Sequence, residues 1–396
     1  MTPGYTEVSD TVAFNSNVGY GFEPGSAVHT VTTEAQNALH DGFVTGRKPF
    51  FFSAAVPEGN YKVTVILGDP KGPSTTTVKA ELRRLMLEKV DTQPGKFADR
   101  TFIVNVRRPQ IATGGSVRLK EREKTSEIRD WDDKLTLEFS GRQPKLCALT
   151  IDKINDLPTI YIAGDSTSTD QGKEPYNSWG QMITSFFKPD IAVANNGESG
   201  ESLRSYIGEN RLAKVMSVIK PGDYLFIQMG HNDQKEKGPG VGAFTTYKAD
   251  LKLFVAEARK HGATPVLITP MNRRTFNASG KVTNSLGDFP AAVRQVAKEG
   301  SVALIDLNAM SKSMYEAFGP DGSKVLFAGT DHTHHSDLGS YELAKCVIQG
   351  IRKDKLPIAK NIEKQVPPFD PAHPDSFQSF DVPPDPHSTA IKPYGN

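Results

Sequence analysis

Two hydrophobic rhythms divide the chain. Up to about residue 155, apolar side chains alternate with polar ones or cluster in short runs. Examples are Phe50-Phe51-Phe52, Tyr61-Lys62-Val63-Thr64-Val65-Ile66-Leu67, Thr101-Phe102-Ile103-Val104-Asn105-Val106, Lys134-Leu135-Thr136-Leu137-Glu138-Phe139 and Cys147-Ala148-Leu149-Thr150-Ile151. Turn residues such as Pro57-Glu58-Gly59-Asn60 and Gly114-Gly115 separate them. Short strands spaced by turns predict an antiparallel β-sandwich over residues 1–155. The segment Val78 to Leu87, rich in Arg, Leu and Glu, fits a strand and a helix equally. After Asn155-Asp156-Leu157-Pro158 the rhythm changes. Strands are predicted at 159–163, 190–194, 223–229, 264–269 and 302–306. Helices are predicted at about 177–187, 203–219, 244–261, 289–299, 307–318 and 337–353. Helices of that length between strands impose right-handed crossovers and a parallel sheet covered on both faces. The expectation for 156–356 is therefore an α/β domain of three layers, α/β/α. Residues 357–396 repeat Pro-Asp and Pro-Pro and read as an extended tail that Phe369, Phe377 and Phe380 can pin to a domain.

Composition narrows the function classes. A chain of 396 residues with 37% hydrophobic and 23% charged side chains is a globular protein of about two domains. Its 47 basic and 46 acidic residues nearly cancel, which leaves no field for nucleic acid or a membrane surface. An anionic polymer would have to be held by local Arg or Lys. No run approaches the length of a membrane-spanning helix. The opening Met1-Thr2-Pro3-Gly4-Tyr5 is not a signal peptide, so the expectation is that none exists or that it was removed. Cys147 and Cys346 each sit in an apolar stretch and read as buried free thiols.

In parallel sheets, ligands bind beyond the carboxyl ends of the strands. Four polar clusters stand at such places: Gly164-Asp165-Ser166, Asn195-Asn196-Gly197-Glu198-Ser199-Gly200-Glu201-Ser202, Gly230-His231-Asn232-Asp233 and Asp331-His332-Thr333-His334. Gly164 would let the backbone bend and leave the Ser166 hydroxyl clear of the strand. A serine hydroxyl needs an imidazole base, and that base needs a carboxylate to fix its tautomer. His334 and Asp331 suit those roles. A tetrahedral intermediate needs donors aimed at its oxyanion, and the Ser166 and Gly200 amides and the Asn232 side chain are the candidates. Gly197 competes with Gly200. Tyr176, His231, Arg273 and Arg274 are candidate substrate contacts, the arginines because they can grip a carboxylate through two bonds. Trp179 is expected in the core, and Asp165, Asp170 and Asp233 in turns or behind the residues that touch the substrate. His332 and His335 are read as loop and rim residues, with no metal, since no Cys or His-Glu-x-x-His accompanies them. The loop Gly238-Pro239-Gly240-Val241-Gly242 lacks a phosphate-binding pattern. No cofactor is called for.

In order, these clusters resemble the four blocks of the SGNH (GDSL-type) hydrolases. Within that family the chain is similar to the rhamnogalacturonan acetylesterase group. The residues that carry the likeness are Gly164-Asp165-Ser166-Thr167, Gly200-Glu201-Ser202-Leu203-Arg204-Ser205-Tyr206 and Gln228-Met229-Gly230-His231-Asn232-Asp233-Gln234. Thr269-Pro270-Met271-Asn272-Arg273-Arg274, Leu304-Ile305-Asp306-Leu307 and Asp331-His332-Thr333-His334 complete it. The resemblance spans residues 158 to about 352. Glu201 departs from it where many relatives have Arg, and Met229 where Phe is common. The resemblance implies a flavodoxin-like SGNH fold and a secreted or periplasmic serine esterase that removes acetyl groups from pectic rhamnogalacturonan. Another acetylated glycan such as xylan, or a carbohydrate-binding protein with a silent esterase domain, is the alternative. Phe14-Asn15 to Gly21-Phe22 and Pro57-Glu58-Gly59-Asn60-Tyr61 resemble the galactose-binding-like sandwich, which binds sugar in some proteins and is structural in others.

Overall fold

The computed structural model describes residues 4–34 and 37–393. The chain forms two compact units. The first comprises the residues up to Arg108, Thr125–Leu157 and Asp381–Pro386. The second comprises Pro109–Lys124, Pro158–Phe380 and the chain from His387 onward. Pro109–Lys124 thus joins the second unit although it lies inside the sequence of the first.

Among the described residues the first unit has ten antiparallel strands: β1 (Tyr20–Phe22), β2 (Val28–Thr32), β3 (Gly42–Gly46), β4 (Phe50–Ala55), β5 (Gly59–Asp69), β6 (Ser74–Ala80), β7 (Arg84–Thr92), β8 (Lys96–Val106), β9 (Lys134–Gln143) and β10 (Lys145–Ile154). They make two five-stranded sheets, β1-β4-β9-β6-β7 and β2-β3-β10-β5-β8. Period-2 alternation does the sorting: Tyr61, Val63, Val65 and Leu67 of β5 all enter one core with Phe50, Leu137 and Phe139, while Lys62 faces solvent. The ambiguous Val78–Leu87 segment is a hairpin, with Glu81 and Arg83 at left-handed φ of 55° and 65° in its turn. Its charges are buried, which spoiled the strand pattern. Lys79 faces Glu138 at 3.7 Å and Arg84 faces Glu81 at 3.8 Å.

The second unit is the expected α/β fold. Strands β11 (Thr159–Gly164), β12 (Ala192–Asn195), β13 (Tyr224–Gln228), β14 (Thr264–Ile268) and β15 (Ala303–Ile305) form a parallel sheet in the order β12-β11-β13-β14-β15. The helices are α1 (Trp179–Met182), α2 (Leu203–Gly208), α3 (Arg211–Val218), α4 (Lys248–Lys260), α5 (Phe289–Gly300), α6 (Leu307–Gly322) and α7 (Asp337–Lys353). Tyr161, Ala163, Leu225, Ile227 and Leu267 share one core with α2 to α5. Ile160, Ile162, Phe226 and Val266, of opposite parity along the strands, are buried too, so both sheet faces are covered.

Several helices differ from the periodic expectation. The stretch 203–219 breaks into α2 and α3 at Asn210, whose φ of 63° only Gly, Asn or Asp adopts readily. A π-turn at Ala243–Tyr247 precedes α4, and α1 gives way to a 3₁₀ turn at Ile183–Phe186. In the tail, Phe369 is buried with the Lys345 ammonium 4.7 Å from its ring, and Phe380 meets Tyr341 at 5.2 Å. Phe377 is 52% exposed and pins nothing. Both cysteines are free; Cys346 is buried but Cys147 only half-buried.

Candidate active site

Ser166 follows the carboxyl end of β11. The Asp165 carboxylate accepts the Thr167 amide at 2.9 Å and its hydroxyl at 2.7 Å, a local turn that fixes the loop. Gly164 is needed for a different reason than a bend. Its φ lies outside the left-handed region, but a Cβ there would stand 1.9 Å from Ser168 Oγ and 3.0 Å from the Gln228 carbonyl.

Asp331 and His334 come from the loop before α7. Ser336 caps that helix by accepting the Gly339 amide at 3.2 Å, so residues 331–335 remain outside it. One Asp331 oxygen accepts the Thr333 and His334 amides at 2.7 and 3.2 Å. The other meets His334 Nδ1 at 3.0 Å, and His334 Nε2 meets Ser166 Oγ at 2.8 Å. With the Nδ1 proton held by Asp331, Nε2 presents its lone pair to the serine hydroxyl. Burial pushes the Asp331 carboxyl upward, but the hydrogen bond and charge of His334 and the two amides outweigh it and hold it well below the usual range. Tyr176 sets its ring edge-on to the His334 ring at 5.9 Å.

The loop after β12 supplies the next group. The Gly197 amide donates to Asn195 Oδ1 at 3.1 Å, and its carbonyl accepts Thr169 Oγ1 at 2.8 Å. Gly200, at φ 88°, and Ser166 have backbone N–H groups that meet no protein acceptor among the described residues. This distinguishes Gly200 from Gly197. Asn232 Nδ2 donates one hydrogen to the Glu201 carbonyl at 3.0 Å, and a second hydrogen remains.

A nucleophile, base and carboxylate in one hydrogen-bonded chain suit acyl transfer, and comparison with known proteins points the same way. The profile of the GDSL-like lipase/acylhydrolase family matches residues 160–347. The rhamnogalacturonan acetylesterase RhgT of Bacillus subtilis is 38% identical over 218 residues, covering 51% of this chain and 93% of that protein. This chain belongs to the GDSL-like lipase/acylhydrolase family. It is accordingly a carboxylic ester hydrolase. An uncharacterized esterase of B. subtilis, YxiM, is 27% identical over 371 residues, covering 90% of this chain and 89% of that protein. The crystal structure of YxiM covers 90% of this chain and 96% of its own, at 25% identity and a TM-score of 0.49.

Around this cluster the remaining sequence-named residues fall into different places. His231 is buried with both nitrogens facing acceptors, Nδ1 towards Asp165 at 3.3 Å and Nε2 towards the Met271 carbonyl at 3.1 Å. It is held inside the protein rather than offered to a substrate, and burial lowers its pKa against the pull of Asp165. Arg273 donates to Thr333 Oγ1 at 3.2 Å and to the His231 carbonyl at 3.4 Å, beside the catalytic-type loops. Arg274 points elsewhere, to the Pro320 carbonyl at 3.4 Å and the Phe327 ring. Trp179 is core, its Nε1 donating to Gln228 at 2.8 Å. His335 bonds Tyr315 Oη at 2.6 Å, and burial lowers its pKa to about 3. His332 is exposed against the Arg274 carbonyl.

Lys235, three residues after Asn232, also lies at this cluster. It donates to Asn232 Oδ1 at 3.3 Å, and burial followed by the Arg273 charge lowers its pKa. Among the described residues neither Lys235 nor Arg273 has a carboxylate partner. The tail also reaches this end of the sheet: the Glu174 amide and carbonyl bond His387 and Thr389 at 3.0 and 2.7 Å, and Lys392 Nζ lies 4.0 Å from Asp331. The other surprise is Glu201, which faces inward. Its carboxylate pairs with Lys120 and accepts Ser205 Oγ at 2.6 Å.

Proposed function

We propose that this hydrolase is a carbohydrate acetylesterase in which Ser166, His334 and Asp331 act as the catalytic triad. The observation that carries the reading is the continuous chain from Asp331 through His334 to Ser166, at 3.0 and 2.8 Å. Ser166 Oγ attacks the acetyl carbonyl while His334 Nε2 takes its proton. The Asp331 carboxylate stabilises the imidazolium. The oxyanion accepts hydrogen bonds from the Ser166 and Gly200 amides and the free N–H of Asn232. Collapse expels the sugar hydroxyl, protonated by His334, and leaves an acetyl-serine. A water deprotonated by His334 then releases acetate.

The substrate we favour is acetylated rhamnogalacturonan. RhgT and a second B. subtilis relative named a probable rhamnogalacturonan acetylesterase, each 38% identical, support it. So do half-buried Arg273 and exposed Lys235, two cations without carboxylate partners among the described residues, which suit the carboxylate of an acidic sugar. Glu201 does not repel such a sugar in this reading, because its charge is answered from within by Lys120. A polymeric plant substrate goes with a secreted or periplasmic protein. The test is acetate release from acetylated rhamnogalacturonan and acetylated xylan by the native protein and Ser166→Ala. Ser166-dependent release that is faster on the rhamnogalacturonan is expected. Equal release by Ser166→Ala would overturn the mechanism, and faster release from xylan the substrate.

A further inference from the structure

The loop carrying Gly200 is gripped by a segment from far upstream. Lys120 and Arg122 lie on the Pro109–Lys124 segment of the α/β unit. Lys120 Nζ donates to the Ser199 carbonyl at 2.8 Å, and an Arg122 guanidinium nitrogen donates to the same oxygen at 2.6 Å. Each cation also pairs with a loop glutamate, Lys120 with Glu201 and Arg122 with Glu198. Behind them, Glu123 forms a two-bonded pair with buried Arg211 at 3.0 and 2.6 Å, which anchors the segment beneath the loop.

The doubly bound oxygen matters because of covalent geometry. The Ser199 carbonyl and the Gly200 N–H belong to one planar peptide, and in a trans peptide they point in opposite directions. Fixing the oxygen therefore fixes the direction of the N–H. Two cationic donors on that oxygen also draw electron density through the peptide and make the N–H a stronger donor. At φ 88° Gly200 has no side chain to hold it, so an external brace does what local sterics cannot.

We propose that Lys120 and Arg122 are positioning residues that orient and polarise the Ser199–Gly200 peptide as an oxyanion donor. The proposal rests on the acyl-transfer reading of this site. Lys120 also answers the Glu201 charge. Burial raises the Glu201 carboxyl against the pull of Lys120 and Arg211, so removing Lys120 leaves a poorly compensated buried acid.

The test uses the full chain and p-nitrophenyl acetate. Lys120→Met is expected to lower kcat by about tenfold or more, less than the roughly 10²–10³ lost with a whole oxyanion donor, while KM stays within about twofold. Affinity for a methylphosphonate transition-state analogue should fall by the same factor as kcat/KM. Arg122→Met should act in the same direction. Adding Glu201→Gln to Lys120→Met should restore thermal stability without restoring kcat, because it removes the orphaned charge and not the lost grip on Ser199. Arg118→Ala, which loses only a bond to the Gly208 carbonyl (3.0 Å), should keep the native kcat. A Lys120→Met protein with native kcat, or one whose kcat returns with its stability, would overturn the brace. If native activity itself did not depend on Ser166, the acyl-transfer reading would fall and the brace with it.

Discussion

Both units bury charge, yet they use it differently. In the β-sandwich, Lys79, Glu81, Arg83, Arg84 and Glu138 are sealed inside, with acidic and basic side chains set beside each other: Lys79 by Glu138, Arg84 by Glu81, and Arg83 by Asp385 at 3.9 Å. In the α/β unit, Asp165, His231, Asp233, Asp331 and His334 are as deeply buried. The perturbations match as well: burial lifts Glu81 and Asp233 alike to about 8. A shifted carboxyl therefore does not locate an active site, since structural ion networks shift them too. What separates the units is direction. The sandwich network closes on itself, whereas the chain Asp331–His334–Ser166 ends on a hydroxyl at the carboxyl end of β11.

The sharpest way to break that contrast is to remove the terminus. Ser166→Ala or His334→Ala should lower kcat on p-nitrophenyl acetate by about 10⁴-fold or more with little change in melting temperature. Asp331→Asn should lose about 10³–10⁴-fold by freeing the wrong tautomer. Steady-state kinetics beside a melting curve would decide. Asn232→Ala should cost about 10²–10³ in kcat as an oxyanion donor. A loss confined to KM would make Asn232 a ground-state contact instead.

The two raised carboxyls sharpen the comparison from the stability side. Each stays protonated in the fold up to about pH 8, while in the unfolded chain it ionises near its ordinary value. The unfolded state therefore binds fewer protons between about pH 5 and 8, and stability falls as pH rises through that window. Glu81→Gln and Asp233→Asn should each flatten that fall, gaining roughly 2–4 °C at pH 8 relative to pH 5. Glu81→Gln should leave kcat untouched. Asp233 accepts the first amide of α2, at Leu203, at 2.9 Å and adjoins Asn232, so Asp233→Asn should also change kcat slightly. Melting curves at both pH values, read with kcat, separate the two.

What the sequence made legible was local. Each of the four clusters follows its strand or precedes its helix within a few residues, so hydrophobic rhythm and polar punctuation found them together. The helix break at Asn210 was hidden because apolar spacing continues across it; only a left-handed φ reveals it. The Val78–Leu87 hairpin was hidden because its inward positions are charged. Sequence suggests a hinge at Gly164, but crowding by Ser168, four residues later, is what excludes a side chain. Glu201 stood out as an odd residue, and its meaning lay with Lys120, which no local pattern could pair with it. Arg274 and Arg273 look identical in sequence, and only packing shows that one reaches Thr333 and the other Pro320.

The brace has a consequence for anyone dividing this protein into parts. The family profile begins at residue 160, and a piece cut at Pro158 would retain every motif residue. It would also discard Lys120, Arg122 and Glu123, taking Arg122 from Glu198 and Lys120 from Glu201 and leaving Arg211 with Glu209 but without Glu123. On the proposed brace the functional boundary is discontinuous: a piece cut at Pro158 is expected to lose oxyanion-donor strength although it keeps every motif residue.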